Sequence, residues 1–337
     1  MAGAGNRWQC VAARRDNPPL GIALILLGIL CVSGQDALIK LLSGGYPLHE
    51  IILVRAGVGI AFSGMLVWWD GGLRVLRTDH PWLHALRALL VVVANVSFFA
   101  GLATLPLAEA TALFFVAPLI ITMLSVPLLG ERVGARRTAA VIIGFLGVVA
   151  MSRPGAAAGG LFDGNAAAFL PIVAATAYAL MQMLTRKLGA TSKASAMVVY
   201  NQSAFILVSL LFWLLAGDGR YAATFESESL HFLLRAWTIP QGWDLALFFL
   251  CALLSTVITY CLTQAYRIAD AAVIAPFEYV ALPLAVIWGW LLWHELPDVW
   301  AGLGMGLIMA SGLYVFLRER RLGRPASGRR PVRSRWV

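Results

Sequence analysis

Long apolar runs separated by short polar links dominate the sequence from about residue 20 to residue 317. Most runs are roughly 17–25 residues long, the length that a helix needs to cross a hydrocarbon core of ~30 Å. The pattern predicts ten membrane-spanning helices, at 20–42, 48–69, 83–104, 107–129, 137–152, 166–188, 195–216, 244–267, 270–293 and 298–317. Very short links, such as Ser43–Pro47, force neighbouring helices to run antiparallel. The expected fold class is an all-α membrane protein.

The positive charges of the links predict the orientation of these helices. With the N-terminus inside, twenty-one of the 26 Lys and Arg residues fall on the cytoplasmic side, eight of them in the tail after Leu317. Only Lys40, Arg153, Arg220 and Arg235 fall outside. Cytoplasmic loops of membrane proteins carry an excess of positive charge, so both termini are expected in the cytoplasm. The longest loop, from about 217 to 243, is expected outside.

Composition supports a membrane location and argues against other classes. Apolar residues make up 60% of the 337 residues and charged residues 13%, with a mean hydropathy of +0.79, so most of the surface must face lipid. The net charge of +9 lies in short loops and the tail, so no nucleic-acid partner is expected. The four cysteines show no metal-ligand or paired spacing, so neither a metal nor a cofactor is predicted.

An internal repeat divides the chain into two halves. At an offset of 164, Ala112–Val149 aligns with Pro276–Leu313 and Glu131 pairs with Glu295; at an offset of 146, Asp36 meets Gln182 and Arg55 meets Asn201. Because five helices per half is an odd number, the halves must be inverted, an arrangement common in secondary transporters. The predicted division is a cytoplasmic tail, two five-helix repeats and an arginine-rich cytoplasmic tail, at 1–19, 20–153, 154–317 and 318–337.

Several of these residues resemble one family. The sequence is similar to EamA-type members of the drug/metabolite transporter superfamily in its ten-helix layout and in the residues Pro118, Leu129-Gly130-Glu131, Asp36-x-x-x-Lys40, Arg55, Ala275-Pro276-Phe277-Glu278-Tyr279 and Glu295. It resembles a bacterial branch that includes transporters of riboflavin, S-adenosylmethionine and metallophores. The resemblance implies a transporter in the bacterial inner membrane. One departure is His294, where the family usually has Gly before Glu.

Polar residues inside the predicted spans are the candidate site, because such residues are rare in hydrocarbon. Asp36 and Arg55 lie at similar depths on adjacent helices, and Lys40 is one turn from Asp36. Two interpretations stay open: a structural ion pair, or an Arg55 anchor for a substrate carboxylate or phosphate that Asp36 positions. Asn95 in the third span could join them or bond to a neighbouring helix.

A second set of polar residues lies at a matching depth from the other side. It comprises Tyr178, Gln182, Asn201, Tyr260 and Glu278, with Tyr279 as a further substrate-contact candidate. Hydrogen bonds between helices are the structural alternative for this set. Glu278 has no obvious basic partner in the sequence, so it is the candidate for substrate contact or proton coupling.

The function expected from these features is secondary-active, possibly proton-coupled, transport of a small polar or amphipathic metabolite by alternating access. An amino acid, a cofactor or a nucleoside-like solute would fit. The alternatives are an integral-membrane enzyme or a membrane scaffold, and no catalytic motif of histidine, serine or cysteine favours an enzyme. The expected partners are the small-molecule substrate and the lipid bilayer, with the chain as a monomer or homodimer.

Overall fold

The computed structural model describes residues 18–129, 135–151, 166–188, 194–221, 227–268 and 275–321, whose regular structure is entirely helical. In chain order the α-helices are α1 (Pro18–Leu42), α2 (Leu48–Asp70), α3 (Pro81–Leu102), α4 (Leu107–Phe114), α5 (Ala117–Leu129), α6 (Ala135–Met151), α7 (Leu170–Leu188), α8 (Ala194–Ala216), α9 (Glu228–Leu234), α10 (Trp243–Ile268), α11 (Ala281–Trp293) and α12 (Val299–Arg321). Short 3-10 turns lie at Gly72–Leu76, Ala166–Phe169 and Ala275–Val280.

The predicted class, an all-α membrane protein, is confirmed. Among the described residues, seven apolar helical segments are long enough to cross a bilayer, and three shorter apolar helices accompany them at Thr138–Met151, Phe277–Trp293 and Val299–Val315. Each predicted run overlaps one of these ten segments. Glu131 and most of both predicted tails lie outside the described residues. The last helix continues to Arg321, four residues beyond its predicted end.

The predicted helix 107–129 is in fact two helices, α4 and α5, with a break at Phe115–Val116. Pro118 explains the break, because it has no N–H to donate to the carbonyl of Phe114 and its ring would clash with that carbonyl. The predicted helix 270–293 is described from Ala275, where a 3-10 turn precedes α11. Residues 270–274 lie outside the described residues, whereas the break before Pro118 comes from local backbone chemistry within an apolar run whose position was predicted.

Helices from the two parts of the chain pack against each other in pairs. α1 packs against α10, α3 against α7, α2 against α8 and α6 against α12. In every pair one helix precedes residue 152 and the other follows residue 165. One large buried cluster, running from Ala37 to Ile308, draws residues from both parts. The two predicted halves therefore share one core.

The α6–α12 pair approaches closely because both helices present glycine. A Cβ atom added at Gly147 would lie 2.7 Å from the carbonyl oxygen of Gly304, and one added at Gly304 would lie 2.5 Å from that of Gly147. No larger residue fits at either position without moving the backbone. Small residues of this kind allow helices to pack tightly in lipid, where hydrophobic burial drives little association.

We call the end of the bundle with residues 43–47 the predicted outer end, and the end with residues 71–80 the predicted inner end. A segment at 227–243, which includes the unpredicted helix α9, covers the predicted outer end. Phe232 of α9 is 1% exposed, and the Ser229 hydroxyl donates to the carbonyl of Ala100 at 2.6 Å. Tyr46 donates to the Asp244 carboxylate at 2.6 Å, and this bond raises the pKa of the Tyr46 phenol.

Candidate functional site

Arg55 and Asn95 meet between α2 and α3, with Asp36 of α1 near enough to act on Arg55 electrostatically, and we call these three residues the outer polar group. Arg55 donates from Nη2 to Oδ1 of Asn95 at 2.9 Å, and the Asp36 carboxylate attracts the guanidinium through space. The direct Asp36–Arg55 ion pair that the sequence allowed is not formed among the described residues. Both Arg55 and Asn95 lie seven residues from the predicted outer end of their helices, about 10 Å deep.

The Arg55 guanidinium is buried but not saturated with hydrogen bonds. Arg55 is 8% exposed, and its Cζ lies 5.8 Å from the ring centroid of Phe99 and 5.6 Å from that of Phe205. A guanidinium carries five N–H donors. Only the bond to Asn95 is made within the described part of the chain. The remaining donors suit an oxyanion, and the flanking rings suit a planar or apolar neighbour.

Lys40 takes part in a different contact from the one considered from sequence. Its Nζ donates to Oε2 of Glu295 at 3.1 Å and to the carbonyl of Leu105 at 2.8 Å, and it lies 4.8 Å from the ring centroid of Trp293. The lysine therefore joins α1 to the segment that follows α11, across the two halves. We call the Lys40–Glu295 pair the outer ion pair.

A series of ring contacts, which we call the aromatic chain, leads away from Arg55. Phe99 contacts Phe98, Phe98 contacts Phe114 and Phe114 contacts Tyr178, with centroid distances of 5.3, 5.3 and 5.4 Å. At its far end the Tyr178 hydroxyl accepts a hydrogen bond from Nε2 of Gln182 at 2.7 Å. The aromatic chain thus connects predicted site residues of the first half with those of the second.

A small, partly open cavity of about 10 Å³, roughly the space of one water molecule, lies beside this region, between α2, α3, α8 and α9. Phe205 lines it together with His49, whose ring is 4% exposed and whose Nε2 has no hydrogen-bond partner within the described part of the chain. Ser209 is the other polar residue of the lining. The space next to Arg55 is therefore mostly apolar, with a few polar atoms.

Asn201 lies in a separate group at the predicted inner end. Arg87 donates from Nε to Oγ1 of Thr185 at 2.7 Å and from Nη1 to Oδ1 of Asn201 at 3.0 Å. We call these three residues the inner polar group. From the sequence, Arg87 is counted among the cytoplasmic positive charges, although it falls inside the predicted span 83–104; in the structure its side chain is 6% exposed and packs between α3, α7 and α8. Arg87 lies six residues after the start of α3 at Pro81.

Glu278 and Tyr279 lie on the 3-10 turn Ala275–Val280. The Glu278 carboxylate is close enough to interact electrostatically with the hydroxyls of Tyr178 and Tyr279. The Tyr279 ring packs on Phe115 with a centroid distance of 5.2 Å, and its hydroxyl abuts Gly312 of α12. Glu278 therefore adjoins the aromatic chain, whereas Tyr279 points toward α12.

Tyr260, like Asn201, lies apart from the outer polar group and the aromatic chain. Half of its surface is exposed (50%), and no ring contact or hydrogen bond links it to another described site residue. The prediction relied on depth along the helix. Depth says nothing about rotation around the helix axis, and Tyr260 lies on a face of α10 where it stays half exposed.

Sequence reasoning missed a polar contact between the halves. The Ser255 hydroxyl of α10 donates to Oε1 of Gln35 at 2.5 Å, one residue before Asp36. Cys251, one turn earlier on α10, is also buried. Listing every polar residue near the middle of a run, rather than the ionisable ones first, would have found Gln35 and Ser255.

No group of three His, Cys, Asp or Glu side chains among the described residues could hold a metal ion. Cys31, Cys251 and Cys261 are buried as free thiols. The arrangement of separated polar groups joined by rings is suited to reversible, non-covalent binding of a solute that carries both polar and ring-shaped parts.

Comparisons with known proteins agree with this arrangement. The EamA-like transporter family model matches residues 19–153. A riboflavin transporter of Rhizobium johnstonii is 34% identical over 257 residues, 76% of this chain and 77% of that protein. An S-adenosylmethionine uptake transporter of Rickettsia prowazekii is 26% identical over 89% of this chain and 94% of that protein.

A second riboflavin transporter, from Vibrio cholerae, is 29% identical over 83% of this chain and 86% of that protein. A solved crystal structure that is 21% identical superposes with a TM-score of 0.57, covering 90% of this chain and 98% of that one, and so shares the fold. With its apolar helices and its similarity to these metabolite transporters, the chain belongs to the EamA-like transporter family of the drug/metabolite transporter superfamily.

Proposed function

We propose that this protein is a secondary-active transporter that moves a small amphipathic metabolite by alternating access between two inverted five-helix repeats. The observation that carries the proposal is the aromatic chain. It joins Arg55 and Asn95 of the first half to Tyr178 and Gln182 of the second through a continuous series of ring contacts, which supports a site that draws on both halves. Substrate sites between repeats are a general property of inverted-repeat transporters.

The helix pairs support the inverted repeat. If the first five predicted spans correspond to the last five, α1 corresponds to α7 and α3 to α10. The contact of α1 with α10 then has the contact of α7 with α3 as its counterpart, and both are made. In the same scheme α2 corresponds to α8 and α6 to α12, so each of these two pairs consists of equivalent helices. Equivalent helices contact each other when they lie on a pseudo-twofold axis, and both contacts are made. The family model also ends at residue 153, the predicted end of the first repeat.

The residues that we propose to bind substrate are Arg55 with Asp36 and Asn95, Tyr178 with Gln182, and Glu278. Arg55 would bind an anionic or strongly polar group, while the rings would stack on a planar one. Riboflavin and S-adenosylmethionine, which the similar proteins are named for, both contain a heteroaromatic ring and a hydroxylated carbon chain or ribose. They are therefore the first solutes to test.

Flux measured with purified protein in proteoliposomes tests the proposal. Labelled riboflavin and labelled S-adenosylmethionine are offered separately, with protein-free vesicles as the blank. We expect saturable uptake of one of them that the unlabelled solute abolishes. A folded protein that moves neither solute faster than the blank would overturn the proposed substrate class.

We further propose that Glu278 couples transport to protons, since it is a carboxylate inside a predicted span beside Tyr178. A pH gradient should then accelerate uptake into vesicles of the wild type. The Glu278→Gln variant should bind the solute but show the same uptake rate with and without the gradient. Intact acceleration in this variant would remove Glu278 from the mechanism.

A further inference from the structure

The inner polar group contains a buried cation with neutral partners only. Arg87 donates to the Thr185 hydroxyl, to the Asn201 side-chain oxygen and, at 3.4 Å, to the main-chain carbonyl of Met197. No carboxylate within 4.0 Å of its nitrogens belongs to the described part of the chain. The outer ion pair differs in this respect, since Lys40 has Glu295 as a counter-charge.

Burying an arginine with no counter-charge costs free energy, because desolvation destabilises the charged form and hydrogen bonds to neutral oxygens offset only part of that cost. A purely structural link between α3, α7 and α8 would not need a charge, since a neutral amide could donate two of these three hydrogen bonds. The guanidinium also keeps one nitrogen, Nη2, without a partner among the described residues. Arg87 can therefore add an oxyanion to its present bonds or exchange a neutral acceptor for one.

The inner polar group repeats the construction of the outer polar group. In each, an arginine donates to the side-chain oxygen of an asparagine on a neighbouring helix, Arg55 to Asn95 and Arg87 to Asn201. Positions 55 and 201 are equivalents in the internal repeat. Helix α3 contributes to both groups, through Asn95 and Arg87, which are eight residues and so about 12 Å apart along its axis.

We propose that Arg87 is a second anion-binding residue, which holds the carboxylate or phosphate of the transported solute at the predicted inner end after Arg55 has released it. The proposal rests on the transport function proposed above. An oxyanion accepts two parallel hydrogen bonds from a guanidinium and supplies the counter-charge that the Thr185 and Asn201 oxygens lack, so it competes well with them for Arg87. Two anion-binding residues at different depths in the bundle let a solute pass from one to the other without an intermediate in which its charge has no partner.

Transport measured separately from each face of the membrane tests the proposal. Proteoliposomes with protein in one known orientation are loaded with S-adenosylmethionine, which carries a carboxylate, on one side or the other. We expect Arg87→Gln to raise KM about ten- to a hundredfold at the predicted inner face and to leave KM at the other face unchanged. Arg87→Lys, which keeps the charge, should raise it less at that same face.

Arg220→Gln is the matched control, because Arg220 is an exposed loop arginine paired with Asp218. An Arg87→Gln protein whose KM is unchanged at both faces, or is raised equally at both, would overturn the proposal. Equal effects would identify Arg87 as a structural link. If Arg87→Gln does not fold, Arg87→Lys takes its place, and the proposal again requires that KM rises at the predicted inner face only.

A binding measurement keeps the test independent of transport. Inorganic phosphate should raise the melting temperature of the wild type in nanodiscs of neutral lipid, and Arg87→Gln and Arg55→Gln should each lose part of the increase. An increase as large in Arg87→Gln as in the wild type would overturn the Arg87 site even if transport occurs. A wild type that binds phosphate but transports neither test solute would instead place the failure in the proposed function. A third outcome would also overturn the assignment to the solute. If the wild type melts at a higher temperature than Arg87→Gln only in nanodiscs that contain anionic lipid, the ligand of Arg87 is a lipid headgroup.

Discussion

Removing Glu295 should loosen the predicted outer end of the bundle, because the outer ion pair joins the two halves there. The Lys40 side chain is 9% exposed and that of Glu295 is 38% exposed, so the pair is neither fully buried nor at the open surface. An exposed ion pair stabilises the folded state by about 0.2–1 kcal/mol, whereas breaking a buried ion pair destabilises it by about 3–5 kcal/mol. Lys40 also keeps its bond to the carbonyl of Leu105 in the variant, which places the loss at about 1–2 kcal/mol.

A loss of this size changes an opening equilibrium about 5- to 30-fold. Hydrogen–deuterium exchange followed by mass spectrometry measures the change, since amide exchange through local opening reports its free energy. We expect Glu295→Gln to accelerate exchange at 43–47 and in α9 by that factor and to leave the predicted inner end at 71–80 unaffected. Peptides from 71–80 serve as the internal control.

A double-mutant cycle separates the ion pair from other effects of the substitution. Lys40→Met combined with Glu295→Gln should accelerate exchange little more than the more damaging single change, because both changes remove one interaction. Additive effects, unchanged exchange at 43–47, or equal acceleration at both ends would refute the conclusion that this pair holds the predicted outer end closed.

Two packing predictions use matched controls. Gly304→Val should lower the melting temperature, since the new side chain meets Gly147 and overpacking costs about 1–3 kcal/mol, while Gly302→Val, which has open space, should be tolerated. Phe232→Ala should cost about 3–5 kcal/mol and increase proteolysis of the 227–243 segment. Phe249→Ala, at a side chain that is 67% exposed, should neither destabilise the protein nor increase this proteolysis. Equal effects of Gly304→Val and Gly302→Val, or of Phe232→Ala and Phe249→Ala, would contradict the packing described.

The positions of the helices could be predicted from the sequence because lipid leaves a backbone few choices. Every buried N–H and C=O must be satisfied within the segment, so a run of about twenty apolar residues has to be helical. The break before Pro118 and the helix α9 were not predicted. The first depends on where a local turn is tolerated, and the second depends on Phe232 finding a buried position under the outer loop.

The sequence predicts how deep the candidate site residues lie in the membrane, but it does not predict which side chains they contact. A rise of about 1.5 Å per residue fixes how far Arg55 and Asn95 lie from the membrane surface. Each residue along a helix also rotates the side chain by about 100°, and which face meets a neighbour depends on packing. Arg55 therefore bonds Asn95 rather than Asp36, and Tyr260 stays half exposed. Arg87 was counted only as a positive charge of the cytoplasmic side, because the sequence does not show that its side chain meets Thr185 and Asn201 of two other helices.

The central claim is that a transported solute binds between the two halves at Arg55. Its most direct test is the affinity of solute uptake from the predicted outer face in wild type, Arg55→Gln and the loop control Arg220→Gln. We predict a KM about ten- to a hundredfold higher for Arg55→Gln and an unchanged KM for Arg220→Gln, because only the first removes a charged donor from the solute. Saturable uptake with the same KM in a folded Arg55→Gln protein would contradict the claim.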